Sequence, residues 1–209
     1  MTHIGHGEKV LVMRIFLAVL VLIFSCQSWT KADDIKDFEI EGISIGDSLL
    51  DHVEKEKIIQ NSANIYDVEG ALAFVDFFDN SSAYDGYQAT YFKDDDDYKI
   101  IAIMGAKLFE NNIEECYLLR EKIVSQVKEL FQNASIETET ASHDGDPTGE
   151  SMITYSRFYI NDDSKYEDLQ IGCTDWSENH KFANGVSPTD KLTVTITTDE
   201  YFEFLQTAY

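Results

Sequence analysis

The sequence predicts an α+β domain over residues 33–209, built on a mostly antiparallel sheet with one long and two short helices packed on one face. Three observations predict this class. Several short segments alternate apolar and polar residues, as strands with one buried face do. A single long amphipathic stripe runs from Ile113 to Phe131. The strand–helix alternation of a parallel, doubly wound sheet is missing.

The first half of this domain is predicted to hold four strands and one short helix. The helix begins after Gly46-Asp47-Ser48 and runs through Leu49 to Val53, with Ser48 as its N-cap. Four consecutive acids at 94–97 fall on the tip of a hairpin, where we expect a solvated turn. The predicted strands cover residues 38–45, 71–78, 87–92 and 99–104, with irregular structure over 60–69 and a loop over 80–86.

The second half opens with the long helix and continues as strands. In the helix, Cys116 shares the apolar stripe and therefore faces the core. Thr198 is expected to cap a short terminal helix over 199–207. The strands are predicted at 152–160, 166–174 and 192–197.

The amino-terminal segment has the three-part pattern of a secretory signal. Arg14 precedes ten uncharged apolar residues, 15–24, and a polar stretch ends at Ala32. Crossing a bilayer takes about 20 apolar residues, so a permanent span is disfavoured. We expect cleavage between Ala32 and Asp33, so that 13–32 is the signal peptide and 1–12 a non-functional extension. The alternative is that the signal peptide starts at Met1 and has a longer amino-terminal region.

Cys26 leaves a second route open. Residues 23–26, Ile-Phe-Ser-Cys, are similar to a bacterial lipobox, in which the cysteine carries lipid. Cleavage at Ala32 would remove Cys26 and leave Cys116 and Cys173, an even pair in an oxidising compartment. Cys173 shares a strand face with Leu169 and Ile171, so both cysteines point inward and a disulfide between them is predicted. Two buried thiols are the alternative.

The strong negative charge of the chain limits which kinds of partner it can bind. The 209 residues carry 39 acidic against 16 basic side chains, for a formal net charge of −23. So negative a surface repels phosphate backbones and anionic lipid heads, which disfavours nucleic acid and membrane surfaces as partners. Cations or a basic envelope protein are electrostatically permitted, and no stable membrane span is expected in the mature protein.

One motif points toward hydrolysis. Gly46-Asp47-Ser48-Leu49 is similar to the signature of the GDSL lipases and esterases, and that resemblance implies Ser48 as nucleophile. The family also needs a distal Asp-x-x-His, and none of His52, His143 and His180 has Asp three residues before it. A serine esterase is therefore a disfavoured alternative, and no catalytic residue is predicted.

A second motif imitates half of a calcium-binding loop. Asp144, Asp146 and Glu150 place carboxylates around Gly149, but position twelve holds Tyr155 where a bidentate Glu belongs. Weak calcium binding by these three acids is an alternative to a simple Gly/Pro turn, and no metal or cofactor site is predicted. Trp176, with the aromatic residues at 155, 158 and 159, suggests either a ligand platform or ordinary core packing.

The mature chain resembles a family of small exported proteins of unknown function from free-living marine alphaproteobacteria. The resemblance is carried by Asp37–Asp51 (DFEIEGISIGDSLLD), Cys116, Gly149-Glu-Ser151, Cys173-Thr-Asp-Trp-Ser177 and 192–205. The resemblance implies that the protein is located in a Gram-negative periplasm. It implies nothing about activity, because the family has none assigned. The sequence thus predicts a periplasmic or secreted protein, most simply a non-enzymatic module that binds a ligand or another protein.

Overall fold

The computed structural model describes residues 35–64, 71–78, 83–110, 112–160, 166, 168–182 and 184–208. These residues form one eight-stranded antiparallel sheet and three α-helices, which confirms an α+β fold that is mostly antiparallel sheet. The strands are β1 Ser62–Asn64, β2 Leu72–Phe77, β3 Gly86–Phe92, β4 Ile100–Phe109, β5 Ser135–Ser142, β6 Met152–Tyr159, β7 Leu169–Asp175 and β8 Asp190–Thr197; the helices are α1 Lys55–Asn61, α2 Ile113–Leu130 and α3 Asp199–Ala208.

The sheet consists of two four-stranded meanders joined along β4 and β8, in the order β1-β2-β3-β4-β8-β7-β6-β5. Helix α2 carries the chain from β4 in the middle to β5 at the far edge. Because neighbours are antiparallel throughout, the β5–β6 and β7–β8 connections emerge at the same end of the sheet. The topology therefore brings residues 143–151 close to residues 176–182 and 184–189.

The core lies between α2 and one face of the sheet. Leu169, Ile171 and Cys173 on β7 stand opposite Ile196, Val194 and Leu192 on β8, so all six side chains share that face. All six are at most 1% exposed. Cys116 of α2 lies at disulfide distance from Cys173, with their Cα atoms 6.1 Å apart. This confirms that the two cysteines face each other across the core.

The segment 38–45 differs from prediction. It forms no strand; instead Ile40 and Ile43 pair as an isolated bridge around Glu41 and Gly42, whose φ angles are +54° and +78°. Glycine adopts such a backbone readily, and the turn folds the alternating residues back on themselves. Ile40, Ile43 and Ile45 are still buried, which explains the strand-like pattern.

The short elements differ from prediction as well. Ser48 caps a single 3-10 turn, Leu49–Asp51, and the α-helix begins only at Lys55. Strand β1 lies in the segment expected to be irregular, and β5 was not predicted at all. Edge strand β5 pairs with β6 alone and is mostly exposed, so its sequence SIETETAS has no apolar face to reveal it.

Helix α3 contacts a different side of the sheet from α2. The ring of Phe204 packs edge-on against Phe92, 5.8 Å between centroids. Phe92 follows Tyr91 on β3. Tyr91 shares a strand face with Ala89, whose partner Ile103 on β4 pairs with Ile196 of the α2-side core. Successive side chains on a strand point to opposite faces, so Phe204 of α3 meets Phe92 on the face away from α2. The predicted packing of all helices on one face is therefore not confirmed.

The predicted signal peptide, with Cys26, Ala32 and Asp33, lies outside the described residues. Within the described residues, no helix has the length and apolar character needed to cross a membrane.

Candidate functional site

The two loops at the common end of the sheet line an open cleft of about 520 Å³. One wall comes from the β5–β6 loop and the other from the β7–β8 loop. The cleft is lined by Gly145, Pro147, Thr148, Asn179, His180, Lys181 and Phe182. A volume of this order suits a small organic ligand.

Asp146 fixes the shape of the first loop. Its Oδ1 accepts hydrogen bonds from the Thr148 amide at 2.9 Å and hydroxyl at 2.7 Å. Its Oδ2 accepts from the Ser151 amide at 2.9 Å and hydroxyl at 2.6 Å. These bonds hold the pKa of the Asp146 carboxyl far below its usual range. The hydrogen bond from the Ser151 hydroxyl has the largest effect on this pKa, followed by the one from the Thr148 hydroxyl. Asp146 is therefore an ionised carboxylate that is only 4% exposed.

His180 faces this carboxylate from the second loop. Its Nδ1 lies 3.3 Å from Asp146 Oδ1, and its side chain is 9% exposed. Two acceptors would repel at that distance, so we place the imidazole proton on Nδ1. In the neutral ring, the lone pair is then on Nε2. Among the described residues this buried atom has no hydrogen-bond partner, although buried polar atoms nearly always have one.

Aromatic rings surround the pair. Trp176 stacks on His180 at a centroid distance of 5.1 Å and meets His143 at 4.3 Å. Phe182 packs edge-on against both Trp176 and His180, at 5.5 and 5.7 Å. Phe182 is 45% exposed, so it forms the outer wall of the cluster. The backbone amide of Trp176 is fixed by Asp190 Oδ1 at 2.8 Å.

His143 is held in the opposite tautomer from His180. Its Nδ1 accepts the Gly145 amide at 3.0 Å, so a neutral ring carries its proton on Nε2. Burial, and then the nearby charge of Lys191, lower the pKa of His143. The ring is therefore favoured in its neutral form.

The predicted calcium ligands do not converge. Asp146 turns inward to its own loop, and Glu150 instead accepts a hydrogen bond from the Ser177 hydroxyl at 2.9 Å. Asp144 is exposed. In the part of the chain that the structure describes, no group of three acid, histidine or cysteine side chains could hold a metal ion.

The hydrogen bonds of Ser48 are those of an N-cap residue. Its hydroxyl donates to the carbonyl of Asp97 at 2.6 Å and accepts the Leu50 amide at 3.2 Å. His52, the histidine nearest in sequence, lies 3.3 Å from Asp47 instead. The hydroxyl proton of Ser48 is thus directed at a backbone oxygen and not at a base.

The aromatic platform suggested around Trp176 is assembled from other residues than expected. Phe158 is fully buried in the core, and the Tyr155 ring lies under the guanidinium of Arg157 at 4.3 Å. The partners of Trp176 are the rings from the two loops. The sequence indicated the turn at Asp146 and Pro147. It did not indicate the contact between Asp146 and His180, because these residues are 34 positions apart and lie in two different hairpins.

Comparison of the chain with protein-family models, with curated proteins and with solved structures yields no match. The functional argument therefore rests on the geometry of the cleft.

Proposed function

We propose that this protein is an exported binding module that holds a small ligand in the cleft between the β5–β6 and β7–β8 loops. The observation that carries the proposal is the Nε2 atom of His180, a buried acceptor without a partner in a side chain that lines the cleft. An unpaired buried acceptor costs about 1–3 kcal/mol. A ligand that donates a hydrogen bond to Nε2 would remove that cost.

Binding is favoured over catalysis by the direction of the nearby hydroxyl protons. Ser151 and Thr148 both donate to the Asp146 carboxylate. Neither hydroxyl is therefore positioned for activation by His180, which a serine or threonine nucleophile requires.

The compartment we propose is the periplasm or the exterior, in line with the likeness to small exported alphaproteobacterial proteins. The proximity of Cys116 and Cys173 supports it, because disulfides persist in oxidising compartments. Intact mass of protein expressed in a Gram-negative host tests the proposal. A chain starting at Asp33 is expected; an uncut chain would refute export, and a diacylated Cys26 would mean a lipoprotein.

Binding can be tested through Trp176, which touches three rings at the cleft. Cleavage before Asp33 removes Trp29, so Trp176 is the single tryptophan of the mature protein; Trp29→Phe gives the same background in an uncut chain. We would titrate this protein with a library of one-ring compounds that carry, or lack, a hydroxyl or amine donor. Saturable changes in Trp176 emission are expected from donor-bearing members.

The chain offers a matched control. His52 also lies 3.3 Å from an aspartate, but its side chain is 25% exposed and does not line the cleft. Binding should disappear in His180→Phe and persist in His52→Phe. If no donor-bearing compound binds, or if binding survives His180→Phe in folded protein, the proposed function is wrong.

A further inference from the structure

We infer that the ligand class of this cleft is a phenolic acid, meaning an aromatic ring that carries a hydroxyl at one end and a carboxylate at the other. This inference rests on the proposed binding function and specifies its ligand. It follows from three features of the cleft: an acceptor at its base, one cation, and an apolar outer wall.

The acceptor favours an acidic hydroxyl over an aliphatic one. The ionised carboxylate of Asp146 faces Nδ1 of His180 at 3.3 Å. With the ring proton held toward that carboxylate, the lone pair of the neutral ring is on Nε2. Nε2 is a buried acceptor without a partner among the described residues, and a phenol is a stronger hydrogen-bond donor than an alcohol.

The cation favours a carboxylate. Lys181 lines the cleft next to His180 and is exposed. It is the single lysine or arginine among the lining residues, and none of them is an acid. One negative group on the ligand matches this wall.

The apolar wall favours a flat ring between the two polar ends. Pro147 lines one side, and Phe182 stands 45% exposed on the other. Because Nε2 is closed off from solvent, the ligand must displace a neighbouring group to reach it. Phe182 is the exposed ring of those packed on His180, so its ring is the one we expect to shift.

The test uses three compounds that differ by one group. Para-hydroxyphenylpropionate has both polar ends, para-methoxyphenylpropionate lacks the donor, and the methyl ester of the first lacks the acid. Calorimetric titration of the parent protein gives their affinities, so no variant has to fold for the comparison. Trp176 emission in the Trp29→Phe protein places the binding at the cleft.

We expect methylation of the hydroxyl to weaken binding about tenfold or more, since it leaves a buried acceptor unpaired. Esterification should cost only about two- to fivefold, because Lys181 is exposed. Lys181→Gln should abolish the difference between acid and ester. In His180→Phe neither the phenol nor the ether should bind, and in His52→Phe the difference between them should remain.

Equal affinities for the phenol and its methyl ether would overturn the phenolic class. So would the absence of binding by all three compounds. If other donor-bearing rings still change Trp176 emission in a His180-dependent manner, the cleft remains a binding site and only its ligand class is wrong. If they do not, both proposals fall.

Discussion

Breaking the predicted bond between Cys116 and Cys173 should lower stability more than any single surface change. The two residues are fully buried and 57 positions apart in the chain, and they tie α2 to β7. In the chain-entropy model, the stabilisation grows with the logarithm of the number of residues in the closed loop.

For a loop of 57 residues, the model gives a loss of denatured-state entropy near 14 cal/mol/K, or about 4 kcal/mol at 25 °C. In a domain of this size each kcal/mol moves the melting temperature by roughly 2–4 °C. Reduction is therefore expected to lower the melting temperature by about 8–16 °C. Any strain relieved on reduction would make the measured shift smaller.

The assay is a thermal melt of the same protein with and without reductant, followed by circular dichroism. Comparing one chain in two redox states avoids the packing change that Cys116→Ala with Cys173→Ala would add. That double variant is the control, because reductant should leave its melt unchanged. Labelling of both thiols in unreduced, denatured parent protein, or identical melts in the two redox states, would refute the reasoning.

Three further predictions concern single side chains. Gly105→Ala should lower the free energy of unfolding in denaturant by about 1–3 kcal/mol, because the added Cβ would lie 2.7 Å from the buried Tyr84 ring. Gly172→Ala should lower it by less, because its Cβ would have its nearest contact at 3.3 Å. Ser48→Ala should cost about 1 kcal/mol, and Ser48→Thr less. The pKa of His143 is lowered in the folded state, so the stability that its neutral ring contributes is fully present above pH 6.5 and is lost as the pH falls through the lowered value. Thermal melts over a pH series should show this loss of stability, and the loss should be smaller in His143→Phe.

Each of these has an outcome that contradicts it. Equal midpoints for Gly105→Ala and Gly172→Ala would show that the Tyr84 ring yields freely. A Ser48→Thr variant as unstable as Ser48→Ala would mean that the hydroxyl contributes nothing. Parallel pH profiles for parent and His143→Phe would remove His143 as the source of the acid-sensitive step.

The sequence by itself determined the elements whose apolar periodicity is strong. Helix α2, strands β2, β3, β6 and β8 and the terminal helix lie close to where the pattern places them. It also indicated that Cys116 and Cys173 face inward, because each shares a stripe or strand face with core residues. Periodicity reports which side chains are buried, and these segments bury one face each.

The tertiary structure decided the rest. The alternation over 38–45 predicted burial correctly but not the turn at Glu41 and Gly42, since burial does not distinguish a strand from a folded-back segment. Strand β5 is polar, and its pairing with β6 depends on hydrogen bonds between backbones that no composition reveals.

The cleft shows the same limit for function. Its polar groups come from two hairpins, and the approach of His180 to Asp146 follows from the strand order that places both connections at one end of the sheet. A local motif could indicate the turn after Asp146. Only the packed sheet brings the imidazole to it, because that contact depends on the register of four strands and not on neighbouring residues.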